Sequence, residues 1–347
     1  MLIHHLMMSN DKKIKVLLCI NGDKDSNKPL LDRVGALLRY ALESEGIEYT
    51  YDYKENYDLV HLISINQFKA YRSVRTNNKI TKKAPVVLSL FNNCLDLRFD
   101  LDNQEEDYMD EIMKFFKPLE ADVITCPWTS QKLILSHTNC FNTIKVVNIG
   151  AKTYFRNEYS DVELSAFRRY YKVPSDSKII VTLGEYNYAK GFAELEAVAR
   201  IMPEYEFFFF GGKSGVLSNS SHYGRINDIP NLHYEGHIPY ELYHSAIFSA
   251  DAAFFPYRFH VESTFILELM KTGVPIVSND NPFLRDLLIG NKTAIIGRTV
   301  EEFYADLKTI DMKNCAEEAK KFVEPFTPQK TGQQLRSLYQ GLLLTQK

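Results

Sequence analysis

No stretch of this sequence approaches the roughly 18–20 consecutive apolar residues that a bilayer-spanning helix requires, so no membrane-spanning segment is expected. Cysteine is sparse. Cys19, Cys94, Cys126, Cys140 and Cys315 are scattered, with no CxxC pair. This spacing argues against a disulfide framework or a cysteine-based zinc site, and suits buried thiols in a reducing compartment. Excess charge is lacking too: a formal charge of −3 over 347 residues gives no global attraction to nucleic acid. The segment Met1–Ser9 has neither a long apolar core nor a small-residue cleavage site and does not read as a signal peptide. The expected location is the cytoplasm, with any membrane contact peripheral, on the inner face.

What is present is a globular composition, 45% apolar and 24% charged. The length fits two domains of roughly 150–180 residues each. Short apolar runs alternate with amphipathic stretches, the pattern of βα units and parallel sheets. In the first half strands are expected at Ile14–Ile20, Leu59–Ile63, Val86–Leu90, Val123–Thr125 and Ile144–Val147. Helices are expected at Leu30–Glu45, Phe68–Asn77, Glu105–Phe116 and Thr129–Ser136. The pattern breaks near Gly150–Ser160 and then resumes. Strands fit Lys178–Leu183, Phe207–Phe210, Leu232–Tyr234, Ala252–Phe255, Pro275–Val277 and Thr293–Ile296. Helices fit Phe192–Ile201, Tyr240–Ser249, Thr264–Thr272, Pro282–Leu287 and Val300–Leu307. The expected fold is α/β: two facing, doubly wound, Rossmann-like domains over 1–155 and 156–326 with a cleft between them. A helix over 327–347 is expected to return to the first domain. In such sheets ligands bind beyond the carboxyl ends of the strands.

Three loops in the second half carry residues suited to chemistry. The first is Gly184-Glu185-Tyr186-Asn187-Tyr188-Ala189-Lys190-Gly191, between a strand and a helix. Amides at a helix N-terminus and the lysine charge together suit a phosphate, although an ordinary turn with a solvated lysine has the same local pattern. The second, Tyr234-Glu235-Gly236-His237-Ile238-Pro239, is a glycine turn before a helix, where His237 and Ile238 can flank a planar base or merely connect two elements. In the third, Phe255 to Pro275, Ser263 and Thr264 open a helix whose free amides suit a diphosphate. Glu268 lies one turn further in. A carboxylate in so apolar a stretch requires a partner, which a ribose diol, a lysine or backbone amides can supply.

Together these segments resemble the C-terminal half of GT-B glycosyltransferases of the retaining family 4. The matching residues are Leu183-Gly184 with Lys190-Gly191, Leu232 with Gly236-His237-Ile238-Pro239, Ala250-Asp251 with Phe255-Pro256, and Leu267-Glu268 with Gly273-Val274-Pro275-Ile276-Val277. The first half resembles the lipid-directed branch, the bacterial enzymes that glycosylate diacylglycerol or its glucoside, through Gly46-Ile47-Glu48-Tyr49-Thr50 and Tyr57-Asp58-Leu59-Val60-His61.

The resemblance implies a first domain on the acceptor side and a second that binds a nucleotide sugar, UDP-hexose being the expected donor. It implies that Lys190 neutralises the diphosphate, that Ser263 and Thr264 hold the distal phosphate, and that Glu268 binds the ribose. A hexose would pass to an acceptor hydroxyl, with retention, on a membrane glycolipid or diacylglycerol. No metal is implied, because basic groups and helix N-termini do its work in this fold.

The sequence also departs from the family. Where members carry Glu, seven residues and a second Glu, His260 occupies the first position and Glu262 follows two residues later. Phe91 and Asn92 stand where a histidine usually follows the third strand, leaving them as the acceptor-side residues. The glycine-rich loop after the first strand is missing. Glu262 and His260 are therefore the expected catalytic pair. The other reading is a non-catalytic scaffold supporting an active protein partner.

A basic stretch, Lys69, Arg72, Arg75, Lys79, Lys82 and Lys83, holds no acidic residue and is interleaved with Phe68, Tyr71 and Val74. It suits an anionic membrane surface, and equally a solvated helix face. The acidic run from Asp96 to Glu111 opposes the membrane reading unless it points away from the bilayer, pairs with the basic helix or serves another partner.

Overall fold

The structure, a computed structural model, describes residues 13–19, 29–63, 67, 71–74, 76, 84–90, 121–137, 143–151, 159–184, 190–211, 228–257, 263–309 and 312–345. Six short strands form the first sheet: β1 (Lys15–Cys19), β2 (Glu48–Thr50), β3 (Leu59–Leu62), β4 (Val86–Ser89), β5 (Val123–Cys126) and β6 (Ile144–Val146). All pair in parallel, in the order β2-β1-β3-β4-β5-β6. Strands β3, β4 and β5 are buried along their whole length, as strands covered on both faces must be. The flanking helices include α1 (Pro29–Ser44) and α2 (Thr129–His137).

The second sheet is also parallel, built from β7 (Lys178–Leu183), β8 (Tyr205–Phe210), β9 (Leu232–Gly236), β10 (Ala252–Phe255), β11 (Ile276–Asn279) and β12 (Ile295–Gly297). Its order is β12-β11-β10-β7-β8-β9. From β7 the chain winds outward through β8 and β9, then returns to lay β10 against the other side of β7. The strand order therefore reverses between β7 and β10, and that reversal opens a crevice at their carboxyl ends. The helices are α3 (Asp161–Leu164), α4 (Ala166–Tyr171), α5 (Phe192–Ile201), α6 (Tyr240–Ser249), α7 (Ser263–Thr272), α8 (Val300–Thr309), α9 (Lys313–Val323) and α10 (Pro328–Leu344). In β8, Phe207 and Phe209 enter one apolar core while Phe208 and Phe210 enter the other. A four-phenylalanine run is satisfied only by a strand with a core on each face.

The last helix crosses back to the first domain. Thr327 caps it by accepting from the Lys330 amide, and Pro328 opens it. It packs on α1, where a Cβ on Gly332 would come within 2.2 Å of the Ala41 carbonyl oxygen. Arg336 pairs with Glu45 at 3.2 Å. Deeper in, the Tyr339 hydroxyl meets His61 Nδ1, His61 Nε2 lies 2.6 Å from Ser89 Oγ, and Ser89 Oγ lies 2.5 Å from Thr125 Oγ1. All four side chains are buried, so this polar chain runs through the core from α10 across β3, β4 and β5.

Five elements differ from the sequence expectation, α3 and α4 among them, since no helix was assigned between Ser160 and Lys178. Residues Pro282–Leu287 form turns rather than a helix, drawn tight by Asn281. Strand β2 was not anticipated, being only three residues on a sheet edge. Helix α9 buries Cys315, Ala316, Ala319 and Val323. That stripe recurs at helical spacing in an otherwise polar segment, a signal the sequence reading did not use, and its small residues allow close packing on α7. The expected helix Glu105–Phe116 and half of Phe68–Asn77 lie outside the described residues; Tyr71 to Val74 and Thr76 are helical as expected. Among the described residues no helix is long and apolar enough to cross a membrane.

Candidate active site at the carboxyl edge of the second sheet

The loops after β7 and β10 meet at the reversal in strand order. Gly191 begins α5 with φ 68°, a left-handed conformation that glycine adopts without a Cβ penalty. A Cβ there would lie 1.8 Å from the Pro256 carbonyl oxygen, so the two loops touch backbone to backbone. That contact brings Lys190 beside the end of β10. Its side chain is buried, and Nζ stands 4.7 Å from the centre of the Tyr257 ring.

Helix α7 starts six residues after Tyr257. Ser263 and Thr264 are each 1% exposed, and neither hydroxyl has a hydrogen-bond partner among the described residues. Buried hydroxyls are ordinarily bonded, so these two, at the N-terminus of a ten-residue helix, are candidate ligand-binding groups. Glu268 is also 1% exposed, on the same helix. Three residues on, the Lys271 ammonium donates to the Ala151 carbonyl at 2.8 Å. Burial holds Lys271 below the ordinary lysine value, partly offset by the Glu268 carboxylate.

A buried lysine, a helix N-terminus with unpartnered hydroxyls and a buried carboxylate can together receive an anion linked to a polyol. Residues 165–324 match the family described as Glycosyl transferases group 1. The chain is 27% identical over 342 residues to the processive diacylglycerol alpha-glucosyltransferase of Acholeplasma laidlawii, covering 95% of this chain and 99% of that one. It superposes on sucrose-phosphate synthase of Thermosynechococcus elongatus with a TM-score of 0.72 at 13% identity, covering 96% of this chain and 100% of the other. Anabaena HepE in complex with UDP and glucose gives a TM-score of 0.72 at 13% identity, over 94% of this chain and 100% of that one.

The chain is a glycosyltransferase of the GT-B fold.

In this glycosyltransferase the remaining sequence-selected residues fall as follows. Gly184 follows β7, and its amide donates to the Phe210 carbonyl at 3.0 Å; the Gly211 amide donates to the Gly236 carbonyl at 2.8 Å. Gly211 has φ 150°, and a Cβ on it would lie 1.6 Å from the Gly184 carbonyl oxygen. The edge along β7, β8 and β9 is thus bare backbone. His237 and Ile238 continue it beyond β9, His237 exposed and Ile238 partly buried. The structure brings Gly184 and Lys190 together and sets Ser263, Thr264 and Glu268 just past the neighbouring strand. His237 and Ile238 lie two strands away from β7.

Glu262, His260, Phe91 and Asn92 lie outside the described residues. So do Lys69, Arg75, Lys79, Lys82, Lys83 and the acidic run from Asp96 to Glu111. Arg72 is described and exposed, and its carbonyl accepts from Thr76 Oγ1 at 3.0 Å.

Two residues beside the candidate site were not singled out from sequence. Tyr257 lies under Lys190. Asn281 is buried and donates from Nδ2 to the Tyr257 carbonyl at 3.0 Å, while its Oδ1 accepts from the Phe283 amide at 3.0 Å. The available signals were an aromatic just past a strand end and an asparagine in the matching loop of the next strand. The same loop crosses between domains: the Ser130 amide, in the first turn of α2, donates to Asp286 Oδ2 at 2.9 Å, and Ser130 Oγ donates to the Phe283 carbonyl at 3.1 Å. A carboxylate from the second domain thereby caps a helix of the first.

Proposed function

We propose that this glycosyltransferase moves a hexose from a UDP-hexose to a hydroxyl of diacylglycerol or a membrane glycolipid, with retention at the anomeric carbon. The observation that carries the donor reading is the pair of buried, unpartnered hydroxyls of Ser263 and Thr264 at the opening of α7, one strand away from the buried Lys190. In this reading Lys190 neutralises the diphosphate and Ser263 and Thr264 hold its distal phosphate. Glu268 accepts from the ribose diol, while His237 and Ile238 flank the base. Lys190 and the N-terminus of α7 supply the positive potential, so the reaction needs no metal.

The bond between the anomeric carbon and the diphosphate oxygen breaks as the acceptor oxygen bonds to the same face. The acceptor proton passes to the leaving diphosphate. In this reading Glu262 stabilises the sugar as positive charge develops there and His260 has the lesser role. Phe91 and Asn92 are the residues assigned to the acceptor. The uracil nucleotide and glucose named for the Anabaena structure, and the diacylglycerol named for the Acholeplasma relative, support these choices of donor and acceptor. The domains divide near 155 and 326, and the stretch holding Lys69, Arg72, Arg75, Lys79, Lys82 and Lys83 rests on anionic lipid at the cytoplasmic face.

The test is transfer of label from UDP-glucose, UDP-galactose and GDP-mannose to vesicles containing diacylglycerol or its monoglucoside. Labelled glycolipid from a uridine donor, with salt-sensitive sedimentation on anionic vesicles, is the expected result. Absence of binding, hydrolysis and transfer with every donor would refute the proposal.

A further inference from the structure

Lys190 is a side chain whose burial has to be explained. A lysine ammonium is strongly hydrated, and withdrawing it from water is costly without a compensating partner. Here the residue is 4% exposed, and its Nζ stands over the face of Tyr257, 4.7 Å from the ring centre. The π face of a tyrosine carries negative potential, and its attraction for a cation strengthens as water is excluded. The Tyr257 ring is itself buried.

The seat is held from three sides. Asn281 fixes the Tyr257 carbonyl and is in turn fixed by the Phe283 amide. The Phe255 and Tyr257 rings pack edge to face, 5.1 Å between centres. Beside them lies Gly184, where a Cβ would approach the Tyr257 hydroxyl tightly, at 3.0 Å, and would lie in ordinary contact, at 3.4 Å, with Cδ and Cε of Lys190. The lysine stem thus runs alongside Gly184 to reach the Tyr257 ring.

From this geometry we propose that Tyr257 is a positioning residue for donor binding. Its ring seats the Lys190 ammonium at the β7–β10 edge, so that the charge is already in place for the diphosphate. The inference rests on the reading that Lys190 meets the donor diphosphate. Preorganisation of this kind raises affinity by removing an ordering cost from the binding step. It requires the ring and not the hydroxyl, and it acts only through Lys190.

The experiment is a double-mutant cycle on UDP affinity, measured by calorimetry on the full chain, with Tyr257→Phe, Tyr257→Leu, Lys190→Ala and the Lys190→Ala/Tyr257→Leu pair. Tyr257→Phe is expected to stay within about threefold of the native affinity, and Tyr257→Leu to bind about tenfold more weakly. The double variant is expected to bind no more weakly than Lys190→Ala alone. Losses that multiply in the double variant, or a Tyr257→Phe as weak as Tyr257→Leu, would overturn the proposal. Should Tyr257→Leu fail to fold, stepwise fluorination of a phenylalanine at position 257 keeps the shape and drains the π face. Affinity then falls at each step if the ring seats the charge, and a flat series refutes it. Proton resonances of the Lys190 ε-methylene separate this inference from the donor reading. Upfield displacement in the native protein that vanishes in Tyr257→Leu verifies the seat without any nucleotide, and ordinary shifts in both sink it. A displaced resonance with no UDP binding leaves the seat standing but removes the donor site, and the positioning role falls with it.

Discussion

The Pro256 carbonyl oxygen occupies the place where a side chain on Gly191 would begin, 1.8 Å from an added Cβ. This contact brings the loop after β7 to the loop after β10 and sets the height of Lys190 over Tyr257. Gly191→Ala adds left-handed strain and a backbone collision together. The expected loss is about 2–4 kcal/mol of stability, with weaker UDP binding in the fraction that remains folded. Urea unfolding alongside calorimetry measures both, and a variant with native stability and affinity would show that the loops can separate freely.

Glu268 is buried within an otherwise apolar helix face. If it receives the ribose diol, Glu268→Gln retains shape and one acceptor oxygen but loses the charge-assisted bonds. Binding of UDP is expected to weaken by about 1.5–3 kcal/mol with little change in melting temperature. A variant that melts much earlier and binds normally would make the carboxylate a structural partner of groups such as Lys271.

The catalytic assignment separates two neighbouring residues. With no histidine at the usual first-domain position, Glu262 is the carboxylate assigned to the reacting sugar. Glu262→Ala is expected to lower the turnover rate on the order of 100-fold, about 2.7 kcal/mol of barrier, and His260→Ala much less. Equal losses in steady-state transfer assays would refute these roles.

His61 gives the fold a pH dependence of predictable sign. Burial holds its imidazole down at about 3, against an ordinary 6.5. Below pH 6.5 the unfolded chain binds a proton that the folded chain refuses until about pH 3. This contribution is intact above pH 6.5 and is lost as pH falls through that window, by on the order of 4–5 kcal/mol at its lower end. His61→Gln removes the titration at the cost of the Tyr339 and Ser89 contacts. The stability gap between native protein and variant should narrow from pH 7 to pH 4.5. A gap independent of pH would mean that another group controls the acid response.

The order of strands and helices was legible because each buries a stripe or a face written in local periodicity. Lys178–Leu183 and Ala252–Phe255 are strands with the same ends in both readings. The glycine and lysine after β7, and the Ser-Thr pair that opens α7, stood out as candidates for anion binding because helix N-termini leave amides free whatever the surrounding fold. Pro282–Leu287 misled, since its apolar spacing is helical while the Asn281 side chain ties the chain into turns.

By itself, then, the sequence determined the alternation of elements, the two parallel sheets and the loops that carry polar residues. All of these depend on interactions between near neighbours along the chain. Only the tertiary structure decided that β10 returns to lie against β7, and so that Tyr257 underlies Lys190. It also decided that Tyr339 reaches His61, 278 positions away, and that Asp286 caps a helix of the other domain. Those pairings depend on which buried faces fit together in space, which hydrophobic periodicity does not encode.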